Sequence, residues 1–325
     1  MFIAGAGMAG LCAAARAREL GVTPTVLEKG ERPGGSMLLS SGVVWRYRDF
    51  EEFRRQCPDG DPELQRVIWD RLGGALDWLE RYESSVAYRD NEITVGRRFD
   101  PGALTKALVA TAGEPSNSLL LGDGPLVVAT GGYPVRLARE RGLLVRSNPW
   151  SESDGIELVL ARGGKAAPSG EFYGRAMPGP VPEGSFVRAS QLYGRFARRV
   201  NDDGEEFFPG EPSWSENDLA QAIADQPGGR AWYELDAEAR ALPEVAARLP
   251  YAQETEPLPG GGLRVRVYAA VTHTYGGVKI DTRGRATDGV WVAGVDAGGV
   301  SNGGYASGLA QALVLGLVAA EDAAQ

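Results

Sequence analysis

Short apolar runs broken by glycines alternate, at both ends of the chain, with stretches whose apolar residues recur every three or four positions. The opening places an apolar run before Gly5, Gly7 and Gly10, an alanine- and leucine-rich stretch over Met8 to Leu20, and a second apolar run over Thr25 to Leu27. That pattern predicts strand, glycine turn, helix and strand. From Asp61 to Tyr82, Leu64, Ile68, Leu72, Leu76 and Leu79 stand at helical spacing, with Asp61 as N-cap and Pro62 at the first helical position. A second helix is predicted over Arg98 to Ala112, entered through Phe99, Asp100 and Pro101, and a buried strand over Leu126 to Ala129. Further on, the pattern predicts a hairpin turn at Asn201 to Gly204 and helices over Ser215 to Ala224 and Asp236 to Leu249. A buried strand over Val290 to Ala293 then leads to a long helix carrying Leu309, Leu313 and Val314. Strands and helices alternating at both ends predict an α/β fold with a parallel sheet.

Chemistry enters first at the opening turn. Gly5, Gly7 and Gly10 form G-x-G-x-x-G. The first glycine permits a tight turn, the second lets backbone approach a pyrophosphate, and the third lets helix pack closely on strand. The helix beginning at Met8 and Ala9 offers unpaired N–H groups and a positive dipole end to the phosphates. Glu28 stands 18 residues beyond Gly10, at the end of the second strand. Its carboxylate can accept both hydroxyls of an adenosine ribose and would repel a 2′-phosphate.

Composition narrows the picture. The 325 residues suit two domains, and 45 glycines fit a fold rich in close backbone turns. The net charge of −9 argues against nucleic acid or an anionic membrane surface as partner. Two cysteines, Cys12 and Cys57, indicate neither a disulfide framework nor a metal site, so a reducing cytoplasm is the expected compartment. No run of about 18 apolar residues and no signal-like start is present, and the first strand, only Met1 to Ala4, reads as clipped or as beginning upstream.

After Glu28 the chain reads Lys29, Gly30, Glu31, Arg32, Pro33, Gly34, Gly35, Ser36, and here it resembles the FAD-binding flavoproteins of the succinate dehydrogenase, fumarate reductase and 3-ketosteroid dehydrogenase superfamily. The resemblance implies that this segment turns from the adenosine ribose toward the flavin, with Ser41 and Gly42 beside the flavin edge. Ala129, Thr130 and Gly131 resemble the A-T-G-G segment that returns to the nucleotide. Members usually have a three-stranded meander before that segment, where only about 12 residues are available here.

Asn148 to Ile156 resembles the N-P-W-S-x-x-D-G-I segment of the fumarate-reductase-like branch. In F-Y-G-R-A-M-P, Arg175 replaces a histidine common in relatives, which implies a guanidinium at the substrate cleft. H-T-x-G-G-x-x-I-D begins at His273, the only histidine of the chain, and implies an imidazole hydrogen-bonded to a substrate carbonyl or carboxylate. The final glycine-rich loop resembles the closing flavin-binding element. There Asp296 corresponds to an acid near the ribityl chain, and Gly304, Ser307 and Leu309 approach the flavin. Fumarate reductases carry an arginine in this loop, whereas Ser301, Asn302, Gly303, Gly304 and Tyr305 stand here. Tyr305 matches the ketosteroid dehydrogenase pattern, in which a tyrosine polarises a ketone.

The expectation is thus a Rossmann-like FAD-binding domain from residues 1–165 and 260–325, with a small inserted α+β cap over 166–259. FAD is expected to be bound without a covalent link, because no histidine lies between Ser36 and Trp45. The expected reaction is hydride transfer between flavin N5 and a carbon next to a carbonyl of a small molecule, with His273, Tyr305 and Arg175 catalytic and a separate electron donor or acceptor. A flavin-dependent oxidase or amine dehydrogenase, or a flavin-binding protein without turnover, are the alternatives.

Overall fold

The computed structural model describes residues 1–88, 91–117 and 122–325. Its chain packs as two units: residues 1–133, 148–171 and 273–325 form the first, and residues 134–147 and 172–272 the second.

The first unit opens with β1 (Phe2–Ala4), α1 (Met8–Glu19) and β2 (Thr25–Leu27), followed by β3 (Val43–Tyr47), α2 (Phe50–Gln56) and α3 (Pro62–Leu79). Next come β4 (Val86–Tyr88), β5 (Thr94–Arg98), α4 (Pro101–Ala112) and β6 (Leu126–Val128). Asp61 caps α3 as read from the sequence, accepting the Glu63 and Leu64 N–H groups, and Asp100 caps α4 by accepting that of Ala103; a proline follows each. The chain then passes through α5 (Pro134–Arg141) and β7 (Leu144–Val145) of the second unit, and returns with α6 (Asp154–Ala161) and β8 (Ala166–Ala167).

The second unit continues with β9 (Phe172–Met177), α7 (Phe186–Ala189), β10 (Arg198–Val200), α8 (Asn217–Ala224), β11 (Arg230–Leu235), α9 (Ala237–Ala241), α10 (Pro243–Ala246), β12 (Thr255–Pro257) and β13 (Leu263–Thr274). The first is completed by β14 (Gly277–Val278), β15 (Arg285–Thr287), β16 (Val290–Val292) and α11 (Gly308–Ala323).

The central sheet of the first unit has the order β15–β16–β6–β1–β2. Its inner strands are parallel, with Ile3 opposite both Val26 and Val127, and Trp291 opposite Val127. Only β15 is antiparallel, at the edge. Parallel strands covered on both faces must be apolar throughout, which is why β6 reads Leu-Val-Val and β16 Val-Trp-Val, all buried. Chain start and chain end therefore meet in one sheet, and α1 packs against α11.

Two expectations change, the helix over Asp236 to Leu249 and the bounds of the second unit. The stretch between α4 and β6 holds no meander among its described residues; residues 118–121 lie outside them. A three-stranded antiparallel sheet, β3–β5–β4, instead stands earlier, between the glycine-rich opening and α4, pairing Val43 with Arg98 and Tyr47 with Thr94. The helix read over Asp236 to Leu249 is broken into α9 and α10, because Pro243 lacks the N–H that a continuous helix needs there. The second unit spans 172–272 rather than 166–259 and takes in 134–147, since β7 pairs with β13 while β8 pairs with β14.

In the second unit β13 is the axis: β11, β12, β7 and β9 all pair with it, and β10 extends the sheet beyond β11. The hairpin turn at Asn201 to Gly204 is present, with Asn201 Oδ1 accepting the N–H groups of Asp203 and Glu205 at 3.0 and 2.9 Å.

Candidate active site

The three glycines of the opening do three different jobs. Gly5 has φ +102°, and a Cβ there would lie 2.2 Å from the Ala129 carbonyl oxygen, so the turn needs glycine twice over. A Cβ on Gly10 would lie 1.9 Å from the Gly5 oxygen, so helix and strand touch backbone to backbone. A Cβ on Gly7 meets nothing within 4 Å. Gly7 is also the N-cap of α1, with no side-chain cap and no acid in the first turn. Open space thus faces the free N–H groups of Met8, Ala9 and Gly10 and the positive end of the helix, which is the environment a pyrophosphate fits.

Glu28 borders that space. Its Oε2 accepts the Ala6 N–H at 2.8 Å and its Oε1 the Gly30 N–H at 2.7 Å, so the carboxylate is oriented at the end of β2. Around it the Asn148 segment closes. Ser36 Oγ accepts the Asn148 N–H at 3.0 Å, Lys29 Nζ pairs with Asp154 at 2.6 Å, and the Trp150 ring lies within 2.9 Å of where a Gly30 Cβ would be. Gly34 N–H donates to the Ala6 oxygen, and Gly35 lies over Gly7. Residues 28–36 are thus tied both to the turn at Ala6 and Gly7 and to the segment from Asn148 to Asp154. Ser41 is exposed, while Gly42 is buried because a Cβ there would lie 2.0 Å from the Phe99 oxygen.

Asp296 is fully buried and accepts from the N–H groups of Thr130, Gly131 and Gly132 and from Thr130 Oγ1. Burial pushes its carboxyl above the ordinary range, against the opposing pull of those hydrogen bonds. Asp296 thus locks the turn after Ala129 to the end of β16, and Ser151 Oγ donates to the Thr130 oxygen at 3.3 Å from the other side.

The loop from Gly299 to Tyr305 is held by its backbone. Tyr47 Oη donates to the Tyr305 oxygen and Tyr275 Oη to the Gly304 oxygen. The Trp45 ring lies 5.2 Å from the Tyr305 ring. Ser307 caps α11 by accepting the Ala310 N–H at 3.2 Å, and Leu309 lies in the first turn. His273 leaves the end of β13 with its ring against this turn: a Cβ on Gly308 would lie 3.1 Å from its Cε1. Its centroid is 5.7 Å from that of Tyr275. The half-buried His273 ring and the half-buried Tyr305 are therefore carried to the same glycine-rich turn.

Arg175 belongs to the second unit, where its Nε donates to the Tyr173 hydroxyl at 2.7 Å. Among the described residues no group of three His, Cys, Asp or Glu side chains is placed to hold a metal, and no helix is long and apolar enough to cross a membrane. Sequence reasoning missed Trp45, Tyr47 and Tyr275. The phenols of Tyr47 and Tyr275 reach carbonyls 258 and 29 residues away, a relation no local spacing reveals; the one available signal was Tyr275 inside the His273 motif.

Residues 3–41 match the family model of an NAD(P)-binding Rossmann-like domain, and no curated protein sequence matches the chain. Solved structures do. A 3-ketosteroid Δ1-dehydrogenase from Sterolibacterium denitrificans, in complex with 1,4-androstadiene-3,17-dione, superposes with TM-score 0.77 at 13% identity, over 99% of this chain and 98% of that one. A 3-ketosteroid-Δ4-(5α)-dehydrogenase from Rhodococcus jostii does so with TM-score 0.74 at 16% identity, over 100% and 96%. A flavocytochrome c3 fumarate reductase gives TM-score 0.72 at 18% identity, over 99% and 77%. The chain has the fold of the fumarate reductase and ketosteroid dehydrogenase flavoproteins.

Proposed function

We propose that the chain is an FAD-dependent oxidoreductase acting on a CH–CH or C=C bond beside a carbonyl of a small molecule, with a separate electron donor or acceptor. The single observation that carries this reading is that one unit holds both the open turn at Gly7 ahead of α1 and the turn that bears Tyr305 and receives the His273 ring. FAD, when bound, supplies hydride transfer at N5.

Glu28 would hold the adenosine ribose, the N–H groups of Met8 and Ala9 the pyrophosphate, and the α11 N-terminus the pyrimidine edge of the ring. A positive helix end there favours negative charge on that edge. His273 and Tyr305 would donate hydrogen bonds to the substrate carbonyl oxygen, acidifying the neighbouring C–H; each preorganised donor is worth about 2.7 to 4 kcal/mol in a dry site. The loop carries a neutral phenol where a guanidinium would suit a dicarboxylate, so a ketone is the favoured substrate class.

Anaerobic mixing of the yellow protein with a panel of ketones, enones and carboxylates tests this. Bleaching by a saturated ketone, or reoxidation of the dithionite-reduced protein by an enone, is expected. A flavin that dithionite reduces but no panel member reduces or reoxidises would overturn it.

A further inference from the structure

Tyr305 does not stand on a free loop. The turn joining α2 to α3, residues 57–61, packs closely against the stretch from Gly299 to Tyr305, with little room for an added side chain at its glycines. A Cβ on Gly304 would lie 1.7 Å from the Gln56 oxygen, one on Gly303 2.8 Å from Asp59, and one on Gly60 2.5 Å from the Val300 oxygen. Asp61 N–H donates to the Gly299 oxygen at 2.6 Å. Cys57 is buried and receives the Tyr305 N–H on its sulfur; burial pushes its thiol up to about 12, so it remains a neutral contact.

At the centre of this contact is Gln65, fully buried although polar. Its Nε2 donates to the Cys57 oxygen at 2.9 Å and to the Val300 oxygen at 2.8 Å, one bond to each loop. Arg54 Nη1 donates to Gln65 Oε1 at 2.6 Å, which fixes the amide orientation, and the same guanidinium holds the Gly60 and Pro58 oxygens at 2.7 and 2.8 Å. Both amide protons and the amide oxygen are thus used. A buried donor set of this kind is costly to leave unmade and is satisfied in only one loop arrangement.

We infer that Gln65, oriented by Arg54, is the positioning residue of the Tyr305 loop: it sets the height at which the loop presents the tyrosine to the substrate carbonyl. The role in turnover rests on the function proposed above; the role in holding the loop does not. No other side chain bridges both loops through two carbonyls among the hydrogen bonds described. The consequence is that changes at a site which touches no reacting atom should act through Tyr305.

Gln65→Met keeps the volume and removes both donors. Hydrogen exchange read by mass spectrometry on the flavin-loaded protein should show amides of residues 299–306 exchanging about tenfold faster, with α1 and β1 unchanged. Turnover of a substrate found by the anaerobic panel should fall about tenfold, with KM nearly constant. In a Tyr305→Phe background the same change should add nothing, because two residues acting through one contact are not additive. Arg54→Met should give the same pattern more weakly, and decides the matter if Gln65→Met does not fold. Unchanged exchange in the loop, acceleration spread uniformly over the first unit, or failure of both variants to fold would overturn the inference. A wild-type protein that binds no flavin would instead count against the proposed function, and the same exchange comparison on the apoprotein would still test the hold of Gln65 on the loop.

Discussion

The imidazole of His273 rests on the backbone of Gly308, where an added Cβ would lie 3.1 Å from Cε1 and 3.2 Å from Nδ1. The end of β13 and the start of α11 are thereby in contact through one ring and one glycine, and His273 is aligned by that contact.

Gly308→Ala should therefore displace the ring by a few tenths of an ångström without disturbing the cradle. Turnover is expected to drop about tenfold, since misplacement by about 1 Å can cost a hundredfold, with FAD affinity within about twofold of wild type. Steady-state kinetics beside a flavin titration check both halves.

Glu28→Ala removes the group placed to accept two ribose hydroxyls. Because its oxygens also accept the Ala6 and Gly30 N–H groups, the net loss should be near one charge-assisted hydrogen bond, about 1.5 to 3 kcal/mol, so the Kd for FAD should rise roughly tenfold to a hundredfold. An unchanged Kd would show that the nucleotide is held elsewhere.

The first strand, the glycine turn, α1 and Glu28 were legible because each is a local pattern of period, spacing and residue type. The hairpin at Asn201 was legible for the same reason. The β3–β5–β4 sheet was not: Val43 pairs with Arg98, 55 positions further on, and an antiparallel sheet leaves no spacing signature at that range. Asp296 was read as a cofactor contact; the structure shows in addition that its oxygens accept the amides of Thr130, Gly131 and Gly132, which the sequence did not reveal. A carboxylate that ties two distant strand ends looks, in sequence, like one that binds a ligand. The brace of Arg54 and Gln65 is local except for one bond, from Gln65 to the Val300 oxygen 235 residues away, which no local pattern reveals.

FAD should leave the protein completely on acid precipitation, because no histidine lies in the segment Ser36 to Trp45, where tethering members of the resembled superfamily carry one. Flavin absorbance is measured in supernatant and pellet. Colour retained in a washed pellet would contradict a non-covalent site.

Acid should destabilise the second unit through Asp202. The guanidinium of Arg266 donates to it and holds its carboxyl below the ordinary range. A carboxyl lowered on folding contributes stability that is complete above its unfolded pKa, about 3.9, and disappears as pH falls through the lowered value. Asp202→Asn should lower Tm at pH 7 and narrow the gap between Tm at pH 7 and at about pH 3. An equal gap in variant and wild type would remove Asp202 from the acid response.

The most direct test of the central claim is the absorption spectrum of the purified protein with the mass of what it releases on denaturation. A yellow protein yielding one equivalent of FAD, or an apoprotein that takes up one equivalent on titration, is the expected result. A colourless protein that binds no FAD at saturating concentration, while binding another nucleotide at the Gly7 cradle, would contradict it.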